Sequence, residues 1–273
     1  MQTWQSLVAD LCLGMGDQGW IWRGQSLASW PLATSLDRTL KGMAADPAER
    51  GRREQRALSF FRAHAGQHLG VTPPQDDLLG WLVAMQHYGA PTRLLDWTES
   101  PFVAIYFAYR DMPPEQKEPA ALWLYDVRLG HMTLIQREEL QFPKLRDDTH
   151  EGPRPEWPAE INDLVRRYIQ SKSPTPLAIV PNRPDSRMTA QQTVLTVDGR
   201  VDGGIVYPMR GPVGPLLFKA ELPAFWRRQA LRDLGMMGIT DASLFPGAEG
   251  IARHTALMVR DGVRHIRNEV EGY

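Results

Sequence analysis

The segment SPFVAIYFAYR, residues 100–110, constrains this chain more than any other. Ser100 is placed to cap a helix, and Pro101 suits the first turn, where its missing N–H costs nothing. The rest of the segment is apolar on nearly every side, so this helix must lie inside the fold. A dense polar string runs straight into it: Gln86, His87, Tyr88, Arg93 and Asp96 within eleven residues. Polar groups gathered before a helix N-terminus face its positive end, where a phosphate-bearing ligand is favoured alongside Arg93. The same residues also have a plain structural reading, with Asp96 paired to Arg93 and His87 a satisfied buried histidine.

Other segments carry simpler periodicities. Apolar residues recur at helical spacing in 2–13, 47–66 and 76–86. In 47–66 the apolar face is read as Ala57, Phe60, Phe61 and Ala65. The Arg-rich first half reads as solvated surface, not as a nucleic-acid patch, because Glu49 and Glu54 interrupt it. Short apolar runs bounded by turn residues predict strands at 20–22, ending at Arg23-Gly24, and at 120–127, 176–181, 191–199 and 215–222. Residues 27–42 read as a loop and a short helical turn. The Pro-rich span 142–175 holds a helix at 159–170, and helices return at 224–235, 240–245 and 248–260. Helices early and strands late predict an α+β fold in a single compact domain over residues 1–273. Helical segments at about 40–110 are then inserted after the first strand, with a strand-rich part at 120–222 and C-terminal helices at 224–260.

Composition excludes several classes. A net charge of −1 gives no global attraction to nucleic acid or anionic lipid, although a local basic groove remains compatible with it. A single cysteine, Cys12, forms neither an internal disulfide nor a cysteine zinc site. The histidines show no metal-ligand spacing, so no metal site is expected. GxxxxGK[ST], GxGxxG and GxSxG are all missing. No run approaches the roughly 18 apolar residues that span a bilayer, and residues 1–18 do not read as a signal peptide. The expected compartment is the cytoplasm, with no membrane partner.

Three islands carry chemistry. In WIWRGQ, residues 20–25, a strand ends in Arg23-Gly24, which puts a rigid guanidinium fork beside a residue that admits a ligand close to the backbone. The polar string at 86–96 is the second. The third is RMTAQQTVLTV, residues 187–197, where Arg187, Gln191 and Gln192 precede a strand. Each has a structural counterpart: a paired arginine, a satisfied histidine, or amides that tie loops to a sheet.

Together these islands resemble the FRG family, named for an aromatic-Arg-Gly triplet matched here by Trp22-Arg23-Gly24. WPLATSLDR (30–38), QHYGAPTRLLDWTESPFVAIYFA (86–108), ALWLYD (121–126), RMTAQQTVLTV and ASLFPGAEGIAR (242–253) are similar to its successive blocks. The resemblance covers most of residues 15–255, with departures at Thr193 and Leu195, where the family usually shows Gly and an aromatic. A weaker resemblance is to ADP-ribosyltransferases, whose core begins with a strand ending in aromatic-Arg-Gly and continues with an element like WTESPFVAIYFA.

That second resemblance implies a mixed β core flanked by an N-terminal helical region, with NAD as substrate. Arg23, Asp96 and Gln191 would be catalytic, Gln191 standing where a glutamate is usual. Arg23, Gly24, Gln86, His87, Tyr88, Arg93, Trp97, Ser100 and Tyr106 would bind NAD. The implied function is ADP-ribosyl transfer to a protein or nucleic-acid acceptor, in a toxin or phage-defence effector with an antitoxin or sensor partner. NAD hydrolysis, a non-catalytic nucleotide sensor and a nuclease-like effector are the alternatives.

Overall fold

The computed structural model describes residues 3–14, 19–43, 46–142, 159–180, 185–201, 204–205, 207–211 and 214–261. The first part of the Pro-rich span, residues 143–158, lies outside them. Helix α1 (Trp4–Gly14) precedes strand β1 (Trp20–Gln25), and α2 (Ser35–Leu40), α3 (Pro47–Ala65) and α4 (Leu78–His87) come after it. Next come β2 (Leu94–Thr98), α5 (Pro101–Arg110), β3 (Ala120–Asp126), α6 (Val127–Glu138) and α7 (Ala159–Ser171). The chain continues through β4 (Leu177–Ile179), α8 (Ser186–Ala190), β5 (Thr193–Val197), the short pair β6 (Arg210–Gly211) and β7 (Gly214–Pro215), and β8 (Leu217–Leu222). Helices α9 (Arg227–Met236), α10 (Asp241–Leu244) and α11 (Ala248–Asp261) complete it.

This is an α+β architecture. Six strands form a sheet in the order β4-β5-β2-β1-β3-β8, and each neighbouring pair runs antiparallel. The early strands β1 and β2 sit at its centre, so strands are not confined to the later half of the chain. Strand β2 falls where the sequence suggests only a loop. Four of its five residues are buried, so both faces are covered and no period-two alternation survives in LLDWT.

Alternate residues divide the sheet into two faces. On one face, Trp22, Leu122 and Leu124 pack beneath α5, with α1 and α9 outside them. Leu94, Leu177, Leu195 and Val197 continue the same face beneath α4 and α7. The opposite face carries Ile21, Leu95, Trp97, Trp123 and Tyr125 against Leu32, Ile205, Met209 and Leu216. Each such fully buried side chain contributes about 1.5–3 kcal/mol relative to exposure.

Helix α3 buries only part of the face expected, with Phe61 and Ala65 on the inner side but Ala57 and Phe60 outside it. Ala57 and Phe60 are exposed, while Glu54 is buried and Leu58, Phe61 and Ala65 are partly covered. Phe61 packs edge-on against Trp81 of α4. Glu54 has an internal partner in Arg93, and that pairing decides which face turns inward.

Helix α5 has the predicted cap, with Val103 N–H donating to Ser100 Oγ at 3.3 Å and Pro101 in its first turn. It lies so close to β1 that a Cβ on Gly24 would stand 1.9 Å from Ala104 O and 2.6 Å from Ala108 N. The missing Cβ of Gly24 therefore makes room for α5, a role that the sequence reading did not assign to it. Gly24→Ala should therefore destabilise the protein by about 3 kcal/mol, the upper part of the overpacking range, in urea unfolding. A loss below about 0.5 kcal/mol, the range of neutral substitutions, would mean that α5 yields to the methyl group.

Candidate functional site

Strands β1 and β2 meet at one register pair, Trp22↔Thr98, whereas β1 and β3 pair continuously from Trp20↔Asp126 to Gln25↔Ala121. Beyond Trp22, residues Arg23, Gly24 and Gln25 part from Trp97 and Asp96. The parting forms a cleft of about 790 Å³ within the sheet, bounded by residues 22–26 and 96–98. That volume suits a drug-sized or nucleotide-sized ligand.

Arg23 spans the gap. Its Nη1 donates to the Asp96 carbonyl at 2.6 Å, across the opening where ladder bonds would otherwise run. Its Nε is buried with no hydrogen-bond partner among the described residues. Burial lowers the guanidinium's pKa, and the Asp96 charge opposes that fall. A buried donor left unused on a planar fork is suited to an anion or carbonyl oxygen entering the cleft.

Further cations line the same space. Arg38 of α2 donates through Nη1 to Ala33 O at 2.7 Å, and Lys41 comes directly after that helix. Arg50 of α3 reaches Val201 O at 3.2 Å and Met43 O at 3.3 Å. Arg187 of α8 lies 4.8 Å from the centre of the Phe245 ring, which Arg110 and Arg253 also face at 5.2 and 4.5 Å. Five cationic residues thus meet three carboxylates in the lining: Asp37, Asp96 and Asp111. Asp37 is engaged in a capping box with Thr34, which withdraws it further. Trp22, Trp97, Phe107 and the half-exposed Trp30 supply flat apolar surface.

Of the residues singled out from sequence, Arg23, Gly24, Asp96, Trp97 and Gln191 line the cleft. Trp97 is buried, with Nε1 donating to Thr196 Oγ1 at 2.9 Å. Gln191 donates through Nε2 to Leu244 O at 3.0 Å, and its backbone carbonyl accepts from Thr98 Oγ1 at 2.7 Å. Gln86 stands behind the lip and donates to Asp96 Oδ1 at 2.6 Å. His87 and Tyr88 are exposed at the end of α4, with His87 Nδ1 3.8 Å from Asp185. Ser100 serves as a helix cap. Tyr106 lies in the core near Asp241, where burial and then that charge raise its pKa. His87, Tyr88, Ser100 and Tyr106 do not line the cleft.

Arg93 requires a correction. It pairs neither with Asp96 nor with a cleft ligand. Its Nε donates to Glu54 Oε1 at 2.7 Å, Nη2 to Glu54 Oε2, and Nη1 to Asp198 O at 2.9 Å. The pair is buried and fastens α3 to the start of β2. Sequence reasoning had no means to join residues 54 and 93. It also passed over Trp30, Arg38, Lys41, Arg50 and Phe107 as site residues, although Trp30 and Arg38 bound one of the recognised blocks.

Arg93→Met should lower stability by about 3–5 kcal/mol, because it strands a buried carboxylate. Adding Glu54→Met should restore most of that loss. Urea unfolding of the single and double variants distinguishes this from simple packing damage, in which the two losses would add.

Asp198, beside this pair, is buried, and burial pushes its carboxyl up to about 7, opposed chiefly by the Arg200 N–H it accepts at 3.0 Å. Its folded pKa exceeds the unfolded value of about 3.9, so the folded state holds the proton more tightly. The stability tied to that proton is fully present below pH 4, falls as pH rises toward 7, and is lost above it. Asp198→Asn keeps an acceptor oxygen and removes the ionisation. Its melting temperature should exceed that of wild type by a margin that grows from pH 5 to pH 8, and a constant margin would refute the raised pKa.

No curated protein and no solved structure matches the chain. The recognised blocks at 121–126, 187–197 and 242–253 lie beyond the span that a family comparison matches. Residues 18–117, which include β1, the cleft's second lip on β2 and the helix α5 behind them, match the FRG domain family model.

Proposed function

We propose that the cleft binds NAD and supports ADP-ribosyl transfer to a macromolecular acceptor. The observation that carries this reading is Arg23, a guanidinium across the strand gap with a buried, unused Nε. Arg38, Arg50 and Arg187 around the opening suit the pyrophosphate, and the Trp30 and Phe107 rings suit planar bases.

In the reaction the bond between the nicotinamide nitrogen and ribose C1′ breaks, and nicotinamide leaves with the bonding pair. An acceptor oxygen or nitrogen bonds to C1′ and releases its proton to water or to a carboxylate. The transition state is oxocarbenium-like, as in glycoside hydrolysis. Asp96, exposed at the lip, is positioned to stabilise that developing positive charge. Gln191 has its Nε2 committed to Leu244 O, which leaves Oε1 as the atom to accept from a ribose hydroxyl. With water as acceptor the same steps give NAD hydrolysis. An enzyme that spends NAD in this way suits a toxin or antiphage effector restrained by a partner.

One observation favours a second reading, a nucleotide-binding sensor without turnover. Among the described residues no glutamate lines the cleft, and the resemblance to ADP-ribosyltransferases puts Gln191 where one is usual. Nicotinamide release from adenine-labelled NAD in a cell lysate separates the two. Wild type is expected to release nicotinamide and label a macromolecule, and Arg23→Ala to do both at least about a hundredfold more slowly, the scale of losing one charge-stabilising donor. Tight NAD binding with no release would establish the sensor. Unchanged NAD binding and turnover in Arg23→Ala would remove Arg23 from the site.

A further inference from the structure

The whole-chain charge of −1 does not show how charge divides between interior and surface. Among the described residues, six carboxylates are buried, Asp37, Glu54, Asp77, Asp126, Asp198 and Asp241, against two arginines, Arg93 and Arg227. The imbalance has a local consequence on α3. Glu54, which interrupts the arginine run in sequence, is turned inward to Arg93 and leaves the outer face. That face presents Arg52, Arg53 and Arg56, with side chains 54, 43 and 71% exposed. One carboxylate, Glu49, serves all three, at 2.8, 3.1 and 3.8 Å.

Helical geometry places Phe60 and His64 on the same stripe, one and two turns beyond Arg56. Phe60 is 67% exposed, and its ring stacks on His64 with centroids 4.2 Å apart and planes 25° apart. A large ring held flat at the surface of a helix, in line with guanidiniums that share a single carboxylate, is the combination that binds single strands: cations follow the phosphates and bases stack on the ring. An acidic protein would use the cations and leave the stack without a role. Arg50, four residues before Glu54 and so on the inward side of the helix, lines the cleft, which puts the N-terminal turn of α3 at the opening.

We infer that the outer face of α3 holds a single-stranded nucleic acid and leads it to the cleft. Resting on the reading given under Proposed function, that strand is the acceptor of ADP-ribose. Arg52, Arg53 and Arg56 follow its phosphates, and Phe60 with His64 carries a base.

Fluorescence anisotropy with fluorescein-labelled mixed-sequence single-stranded DNA and RNA tests the surface without any need for turnover. The triple variant Arg52→Gln/Arg53→Gln/Arg56→Gln should bind about tenfold or more weakly. Its slope of log affinity against log salt should be shallower by about 2, since each neutralised phosphate of a single strand contributes about 0.7. Phe60→Ala, a change at an exposed site, should melt as wild type does and lose about fivefold or more in affinity through the lost stacking. Whichever of DNA and RNA binds more tightly identifies the strand. Wild type that binds neither strand overturns the inference. So does a triple variant that binds as wild type does, or polyglutamate binding as tightly as the strands with Phe60→Ala silent. Nicotinamide release is measured separately: its absence sinks the NAD reading alone, while anisotropy still decides the α3 surface. Release with label on protein, and none on an added strand that binds, overturns the acceptor role.

Discussion

Helix α5 rests on strand β1 backbone to backbone at Gly24, and the position of the cleft depends on that contact. With no Cβ at residue 24, the Ala104 carbonyl and the Ala108 amide come within what would be bonding distance of a side chain. The rest of α5 is buried among Trp22, Leu122 and Leu124 on the sheet side and α9 beyond. The helix is thereby fixed behind the strand whose next residue outward is Arg23. Because β1 is held on this side by α5 and along its length by β3, it cannot follow β2 past Trp22↔Thr98. The sheet opens there, and a guanidinium fills the opening.

A second constraint holds the other lip. Strand β2 pairs with β5 throughout, from Leu94↔Val197 to Thr98↔Thr193, and its first residue comes directly after Arg93. The buried Arg93–Glu54 pair then fastens α3 to this half of the sheet, and Nη1 of Arg93 reaches Asp198 at the end of β5. Such a pair adds little net stability, since desolvation offsets most of the attraction, but it strongly resists loss of either partner. Its effect here is positional. The helix bearing Arg50 and the exposed arginines is registered to the strand bearing Asp96, so the cationic rim and the carboxylate lip keep a fixed relation.

Much of the fold and the site is legible in the sequence wherever a signal is local. Ser100-Pro101 announces α5, and the aromatic-Arg-Gly triplet places β1 and picks out Arg23. Asp96, Trp97 and Gln191, which line the cleft, are singled out because they stand next to strong motifs. Sequence reasoning fails where the deciding partner is distant along the chain. The close packing of α5 on Gly24 is not foreseen, because nothing in WIWRGQ tells that the helix will lie against it. Arg93 looks like a phosphate ligand, because Glu54 is thirty-nine residues away. The inner face of α3 is read correctly at Phe61 and Ala65 but not at Phe60, for the same reason: Phe60 is more hydrophobic than Glu54, yet a bidentate partner outweighs that difference.

The distribution of charge depends on side-chain length as much as on sign. Aspartate is short enough to accept backbone N–H groups at helix starts, and Asp37, Asp77 and Asp126 do so in α2, α4 and α6 while buried. Arginine and lysine have long stems and strongly hydrated heads, so most reach water even when their stems are covered. The chain has nearly equal numbers of both, 31 basic and 32 acidic, yet among the described residues six carboxylates and only two arginines are buried. Net charge is a sum over residues that folding does not treat alike. On this protein the carboxylates withdrawn into caps and internal pairs include Asp37 and Glu54, beside the cleft and beneath the α3 arginines, and Arg38 and the outer stripe of α3 face water. An anionic ligand would meet that field before it met the cleft, and the field would raise its local concentration at the opening.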